Sequence, residues 1–338
     1  MPAFHIGNLV FELTESCNQC CRFCYNYWRD GFSPLAPPQP SLVRKTLRKL
    51  LSQTTIGTIS FSGGEPMLLK NVHDLALFAR FKGSHVNILT NGTLLTEDAL
   101  QNFLHIGVSA LQIPLLSADP RIHESLTNLP GSWQKASDAL RRVAAALPRG
   151  AYAVLVISAR NLEGVPQTLE LIHSLGVRNV MVNRFNIGGM GLRNAGELNL
   201  DKAGLNRAFS LVESFAAAHQ DMHFVSGVCT PLCLVEPQQY PHIRFTWCST
   251  DFNKRPVTVN YKGDVRFCNH SPYVMGNIYD RPLGDILADP ANIARYAQVP
   301  ERCADCPLLS RCNGGCRAAS EQLFGRFDLA DPVLQTRA

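Results

Sequence analysis

Residues 8–25 read NLVFELTESCNQCCRFCY. The run NLVFEL (8–13) has the length and apolar content of a buried strand. Directly after it, Cys17, Cys20, Cys21 and Cys24 crowd into eight positions, and no further cysteine occurs before Cys229. The remaining eight of twelve fall between Cys229 and Cys316. Thiols used as core filler would be scattered. Two dense zones around a cysteine-free middle are the pattern of inorganic cofactor sites. The first zone parses as Cys17-x3-Cys21-x2-Cys24, with Cys20 left over. Three thiolates on one loop bind three corners of a 4Fe–4S cube and leave the fourth iron open, whereas a structural zinc site wants four ligands and a closed shell.

Working outward, strand-like and helix-like segments alternate. Helix SLVRKTLRKLLSQ (41–53), with Ser41 as N-cap, is followed by strand TIGTISF (55–61) and helix NVHDLALFARF (71–81). Strand HVNILT (85–90), helix TEDALQNFLHI (96–106), strand VSALQIPL (108–115) and helix SWQKASDALRRVAAAL (132–147) come next. Strand YAVLVIS (152–158), helix VPQTLELIHSLG (165–176) and strand NVMVNRF (179–185) complete six β/α units. Short apolar strands separated by helices pair in parallel, because a parallel return needs a crossover. Six units suit a partial barrel, with an open doubly wound sheet as the competing layout. The cysteine loop then sits at the C-terminal mouth, where such folds place their chemistry. The Gly- and Asn-rich segment 187–199 reads as a boundary loop. Helix 201–220 leads into a zone of short strands, PVTVNY (256–261) and DVRFC (264–268).

The 338 residues are 46% hydrophobic and 17% charged, enough to bury a core. A net charge of +5 without a run of Lys and Arg gives no nucleic-acid footprint. There is no signal-peptide pattern and no apolar run of the roughly 18 residues that span a bilayer. We therefore expect no membrane association and a cytoplasmic protein, in which twelve cysteines are metal ligands and not disulfides.

The second motif is SGGEP, Ser62 to Pro66, directly after the second strand. Two glycines permit close backbone approach, and Glu65 offers a negative charge to an ammonium. With CNQCCRFC, with LTNGTLL (89–95) after the third strand and with the order of six β/α units, the chain resembles the radical SAM superfamily. The resemblance implies a partial (β/α)6 TIM-like barrel. It also implies an open iron that chelates S-adenosylmethionine, whose reductive cleavage yields a 5′-deoxyadenosyl radical that takes hydrogen from a substrate. By position it places the cluster on Cys17, Cys21 and Cys24, Phe23 on the adenine, and Gly63, Gly64 and Glu65 on the methionyl amino group. Pro66, Thr90 and Asn91 fall among the cofactor-binding positions. Ser117 stands near the usual ribose contact, where QIPLLSADPRIHE departs from the common ISLDG. Arg184 and Asn183 stand where the SAM carboxylate could be met; a salt bridge is the other reading of Arg184.

The cysteine-rich zone reads Cys248-x14-Gly263-x4-Cys268, then Cys303-x2-Cys306-x5-Cys312-x3-Cys316. This resembles the SPASM extension of peptide- and protein-modifying radical SAM enzymes, which binds two auxiliary 4Fe–4S clusters. By position, Cys248, Cys268 and Cys316 fall on the first, with Cys233 or Cys229 as fourth ligand. Cys303, Cys306 and Cys312 fall on the second. The family pattern ends with one more cysteine, and none follows Cys316. Asp305, Asp328, a remote cysteine or substrate could fill that place; a zinc knuckle on Cys303, Cys306, Cys312 and Cys316 is the alternative. Whichever of Cys229 and Cys233 is not a ligand is a candidate hydrogen-atom donor. His270 is a candidate base, since Asn269, where sulfatase maturases carry an aspartate, cannot take a proton.

The resulting organisation is a radical SAM partial barrel (1–195), a linking helix (196–228) and a SPASM-type domain (229–338). The expected substrate is a peptide or small protein, to be crosslinked, dehydrogenated or epimerised. A sugar, polyol or aminocyclitol is the second reading, and a non-catalytic iron–sulfur or zinc protein is the third. The expected electron donor is a reductase such as flavodoxin or ferredoxin. Only seven residues precede the first strand, so either a separate protein supplies a leader-peptide-binding module or the substrate is recognised without one.

Overall fold

The computed structural model describes residues 4–29, 36–249, 251–252 and 255–335. In chain order the elements begin β1 (Phe4–Thr14), α1 (Pro40–Gln53), β2 (Thr54–Gly63), α2 (Val72–Phe81), β3 (His85–Leu89) and α3 (Glu97–Ile106). They continue β4 (Ala110–Pro114), α4 (Pro120–Thr127), α5 (Ser132–Ala146), β5 (Ala151–Ile157), α6 (Val165–Ser174) and β6 (Asn179–Arg184). Then come α7 (Met190–Leu198), α8 (Lys202–Ala218), β7 (His223–Ser226), β8 (Ile243–Phe245), β9 (Val257–Asn260), β10 (Asp264–Arg266) and β11 (Val274–Asn277). The last are α9 (Leu283–Leu287), α10 (Pro290–Ala297), α11 (Leu309–Cys312) and α12 (Arg317–Phe324). By contact density the chain forms two compact units. One is drawn from Met1–Asn18, Phe32–Leu111 and Ser249–Gln298, the other from Gln19–Gly31, Gln112–Cys248 and Val299–Ala338.

In the first unit the strand order is β11-β10-β9-β1-β2-β3. β1 runs parallel to β2, with Phe11 opposite Phe61, and parallel to β9, with Phe11 opposite Val259. A strand paired on both sides and covered on both faces should be apolar throughout; Ile6, Leu9, Phe11 and Leu13 of β1 are all buried. α1 has Pro at its first turn and buries Val43, Leu47, Leu50 and Leu51 at helical spacing. α3 begins where Thr96 Oγ1 accepts from the Ala99 amide at 3.1 Å and ends at left-handed Gly107. One charged pair crosses this core: Glu12 of β1 and Arg266 of β10 are both buried and ion-paired.

In the second unit the order is β4-β5-β6-β7-β8, with β5 through β8 parallel to one another. The α/β sheet is open, because β11 and β8 are edge strands; it is parallel except at β10, which runs antiparallel to β9 and β11.

The six strands read from hydrophobic runs are present as β1 to β6, and β1 starts earlier than expected, at Phe4. The predicted boundary loop 187–199 is instead largely helical, as α7. Its glycines are tolerated because the helix is clasped from outside: Arg22 Nε donates to Asn194 Oδ1 at 3.1 Å, and the guanidinium pairs with Glu197. α4 was not expected as a helix. Asp119 caps it, accepting from the Arg121 amide at 2.8 Å.

Candidate functional site

In the first unit, SGGEP packs against the chain that leaves β1 toward Cys17. The Gly64 amide donates to Thr14 O and the Glu65 amide to Ser16 O, each at 2.7 Å. Gly63 lies at φ +121, and a side chain on Gly64 would place its Cβ 1.9 Å from Ser16 O. These glycines therefore allow backbone to meet backbone and set the course of the loop carrying Cys17. The buried Glu65 carboxylate accepts from Thr90 Oγ1 at 2.6 Å, from the Asn91 amide at 2.7 Å and from the Met67 amide at 3.0 Å. Burial raises the Glu65 pKa, and these donors pull it back. Pro66 opens the short turn that Glu65 caps. Asn91 Nδ2 donates to Asn18 Oδ1 at 2.8 Å and stands 4.0 Å from Cys17 Sγ. Thus Glu65, Asn91, Asn18 and Cys17 form one connected polar chain.

In the second unit the rest of the cysteine loop is tied down by its own set of bonds. The Cys24 amide donates to Cys21 O at 3.1 Å, and Cys21 Sγ to Gln19 Oε1 at 3.1 Å. The Arg22 amide donates to Leu126 O at 2.8 Å, and the Gly191 amide to Cys24 O at 3.2 Å. Cys20 is buried. Phe23 packs on the apolar group Leu116, Leu126, Phe185, Ile187 and Leu198.

Ser117 is buried, with Oγ accepting from the Asp119 amide at 3.1 Å and its carbonyl accepting from Trp133 Nε1 at 3.0 Å. Behind it, His123 Nδ1 accepts from the Leu116 amide at 3.2 Å, and burial lowers its pKa to about 4. Arg184 is buried in an ion pair with Asp331 and donates to Cys229 O at 2.9 Å and Phe185 O at 3.2 Å. Only its Nε lacks a partner among the described residues.

In the C-terminal zone, the same Asp331 accepts from the Cys316 amide at 2.8 Å, while Cys316 Sγ accepts from Asn186 Nδ2 at 3.1 Å. Cys248 O accepts from Asn313 Nδ2 at 2.6 Å. Cys303, Cys306 and Cys312 sit on successive tight turns, with the Cys306 amide bonded to Cys303 O at 3.1 Å and the Cys312 amide to Leu308 O at 2.9 Å. Cys268 and the buried His270 lie on the turn after β10, in the first unit, braced by Arg266 donating to Ser271 O at 2.8 Å. N–H groups aimed at sulfur are what cluster thiolates use. Among the described residues no three thiols bring their sulfurs within 4.8 Å of one another. A tetrahedral zinc site would need about 3.7 Å between sulfurs, given its short metal–sulfur bonds. Thiolate sulfur is the ligand type that iron–sulfur clusters take, so the donor set fits them by its chemistry.

Two family models match this chain. The radical SAM superfamily model covers residues 11–172, and the SPASM iron–sulfur cluster-binding domain model covers residues 248–307. The chain is a radical SAM protein with a SPASM domain. The cofactors of this radical SAM protein are accordingly 4Fe–4S clusters and S-adenosylmethionine. A PqqA peptide cyclase of Xanthomonas campestris is 28% identical over 341 aligned positions, spanning 97% of this chain and 86% of the relative. One of Granulibacter bethesdensis is 26% identical, over 96% of this chain and 86% of its own length. Among solved structures, Streptococcus suis SuiB bound to S-adenosylmethionine superposes with TM-score 0.75 at 15% identity, covering 98% of this chain and 77% of SuiB. Native anSMEcpe with bound AdoMet gives 0.72 at 15% identity, covering 97% and 94%. Both share the fold. Of the residues now visible in this radical SAM protein, Asp331, Asn186 and Asn18 carried no sequence signal, since a buried carboxylate or amide near a thiol shows only once the chain is folded.

Proposed function

We propose that this radical SAM enzyme modifies a peptide or small protein by hydrogen abstraction, giving a crosslink, a dehydrogenated residue or an inverted centre. The observation that carries this reading is coverage: relatives named PqqA peptide cyclase align over 97% of the chain, through both domains. When bound, the reduced cluster and S-adenosylmethionine supply the hydrogen-abstracting radical. The protein's own residues would hold, orient and shield. Cys17, Cys21 and Cys24 hold the radical-generating cluster. The Gly63–Gly64 backbone and Glu65 take the methionyl amino group, and Thr90 and Asn91 fix Glu65. Phe23 walls the adenine side against water. Cys248, Cys268, Cys303, Cys306, Cys312 and Cys316 hold auxiliary clusters, and His270 is the candidate proton acceptor. We assign the radical chemistry to residues 1–195, the link to 196–228 and the auxiliary clusters to 229–338. A flavodoxin- or ferredoxin-type reductase supplies electrons.

The test is incubation of reconstituted enzyme with S-adenosylmethionine, reductant and peptides encoded beside its gene, followed by mass analysis. Loss of two hydrogens supports a crosslink or dehydrogenation. Unchanged mass with solvent deuterium incorporated supports epimerisation. 5′-Deoxyadenosine formed without any peptide change, but with oxidation of a sugar, polyol or aminocyclitol, would replace the peptide reading. No 5′-deoxyadenosine under strong reductant would leave a non-catalytic cluster protein.

A further inference from the structure

We propose that Cys233 is the fourth thiolate of the second auxiliary cluster, completing a four-cysteine site with Cys303, Cys306 and Cys312. The inference rests on the cluster-binding reading above and assigns the ligand that the sequence pattern leaves open after Cys316. It moves Cys233 from the first auxiliary site, where chain position alone had suggested it.

Residues 229–235 read CTPLCLV, and Pro231 turns the chain so that its carbonyl accepts from the Leu234 amide at 3.0 Å and the Val235 amide at 3.3 Å. That turn is locked onto 312–315 at two points. The Leu232 amide donates to Cys312 Sγ at 3.4 Å. The Pro231 ring lies so close to Gly315 that a side chain there would place its Cβ 2.7 Å from Pro231 Cγ. Cys303 Sγ reaches the same turn, 3.7 Å from where a Gly314 Cβ would stand. Left-handed Asn313, Gly314 and Gly315 fold the chain back to make this possible.

Of the two acidic candidates, Asp328 is already ion-paired with Arg326. Cys229 then remains as the upstream thiol for Cys316 and Cys248, tied to Cys316 through Arg184 and Asp331. Neither Cys229 nor Cys233 is left to donate a hydrogen atom.

The test starts from a Cys17/Cys21/Cys24→Ala background, which keeps only auxiliary clusters. Cys233→Ala and Cys303→Ala should remove the same reduced-state EPR signal, each with about 4 irons. The double variant should lose no more than either alone. Retention of all iron and of both signals in Cys233→Ala would overturn the assignment. So would loss of the signal that Cys248→Ala removes. Because a variant can fail to fold, the unmutated holoprotein offers a second reading. Cys233, although exposed, should resist iodoacetamide under anaerobic native conditions and react after chelation of iron. Rapid alkylation in the holoprotein would overturn the proposal. Zinc in place of iron at this site, lost on Cys233→Ala, would keep Cys233 as a ligand and overturn the cluster reading beneath it.

Discussion

The backbone amide of Asn91 donates to Glu65 Oε2 at 2.7 Å, while the Asn91 side chain reaches Asn18 beside Cys17. One residue thus joins the carboxylate of SGGEP to the cysteine loop. Glu65→Gln keeps the shape but turns one acceptor oxygen into a donor, facing either the Met67 amide beside the Thr90 hydroxyl or the Asn91 amide. A buried unsatisfied donor costs about 1–3 kcal/mol. We expect S-adenosylmethionine affinity to fall about tenfold or more in equilibrium binding to the reconstituted enzyme. Wild-type affinity would show that the Glu65–Asn91 link does not shape the site.

Gly64 and Gly196 make a contrasting pair. Gly64→Ala drives a Cβ into Ser16 O at 1.9 Å, so the backbone before Cys17 must move. Iron at the first cluster should drop by about 4 per chain. Gly196, inside α7, has no atom within 4 Å of its would-be Cβ. Gly196→Ala should be stabilising by about 0.5–1 kcal/mol in denaturant unfolding, through helix propensity.

Much of this was legible in local pattern. β1 to β6 are short strands rich in buried apolar residues, separated by helices, of which α3 and α4 carry side-chain caps at Thr96 and Asp119. The thiol loop and SGGEP declare themselves by spacing. α7 was not legible, because its glycines argue for a loop and its support comes from Arg22, far away in sequence. Nor was the parallel addition of β9 to β1, with Leu9 opposite Val257, since strand partners are chosen by tertiary packing. Arg184 showed the same limit: its sequence position fits a cofactor contact, and the fold gives it Asp331.

The Arg184–Asp331 pair is buried on both sides and carries Cys229 and Cys316 with it. Removing one partner leaves an uncompensated buried charge, worth about 3–5 kcal/mol. Asp331→Asn should therefore lower the unfolding midpoint strongly and reduce auxiliary-cluster iron. An unchanged midpoint would mean that the pair does not hold this region.

His123 sets a pH dependence. Its folded pKa of about 4 lies below the ordinary 6.5 because of burial. The unfolded chain therefore binds the proton first. This contribution is complete above about pH 6.5 and declines as pH falls toward 4, by about 3 kcal/mol in all. Protonation at Nδ1 also breaks its bond from the Leu116 amide. His123→Asn, whose Oδ1 can accept in place of Nδ1, should unfold with a flatter pH profile than the wild type between pH 7 and 5. Parallel profiles would exclude His123 as the titrating group.

The most direct test counts metal per chain after anaerobic purification, in the wild type and in Cys17/Cys21/Cys24→Ala. Three clusters predict about 12 irons with matching sulfide, falling to about 8 in the variant. About 4 irons with bound zinc, all the iron lost in the variant, would contradict the account and make the C-terminal cysteines a structural zinc site.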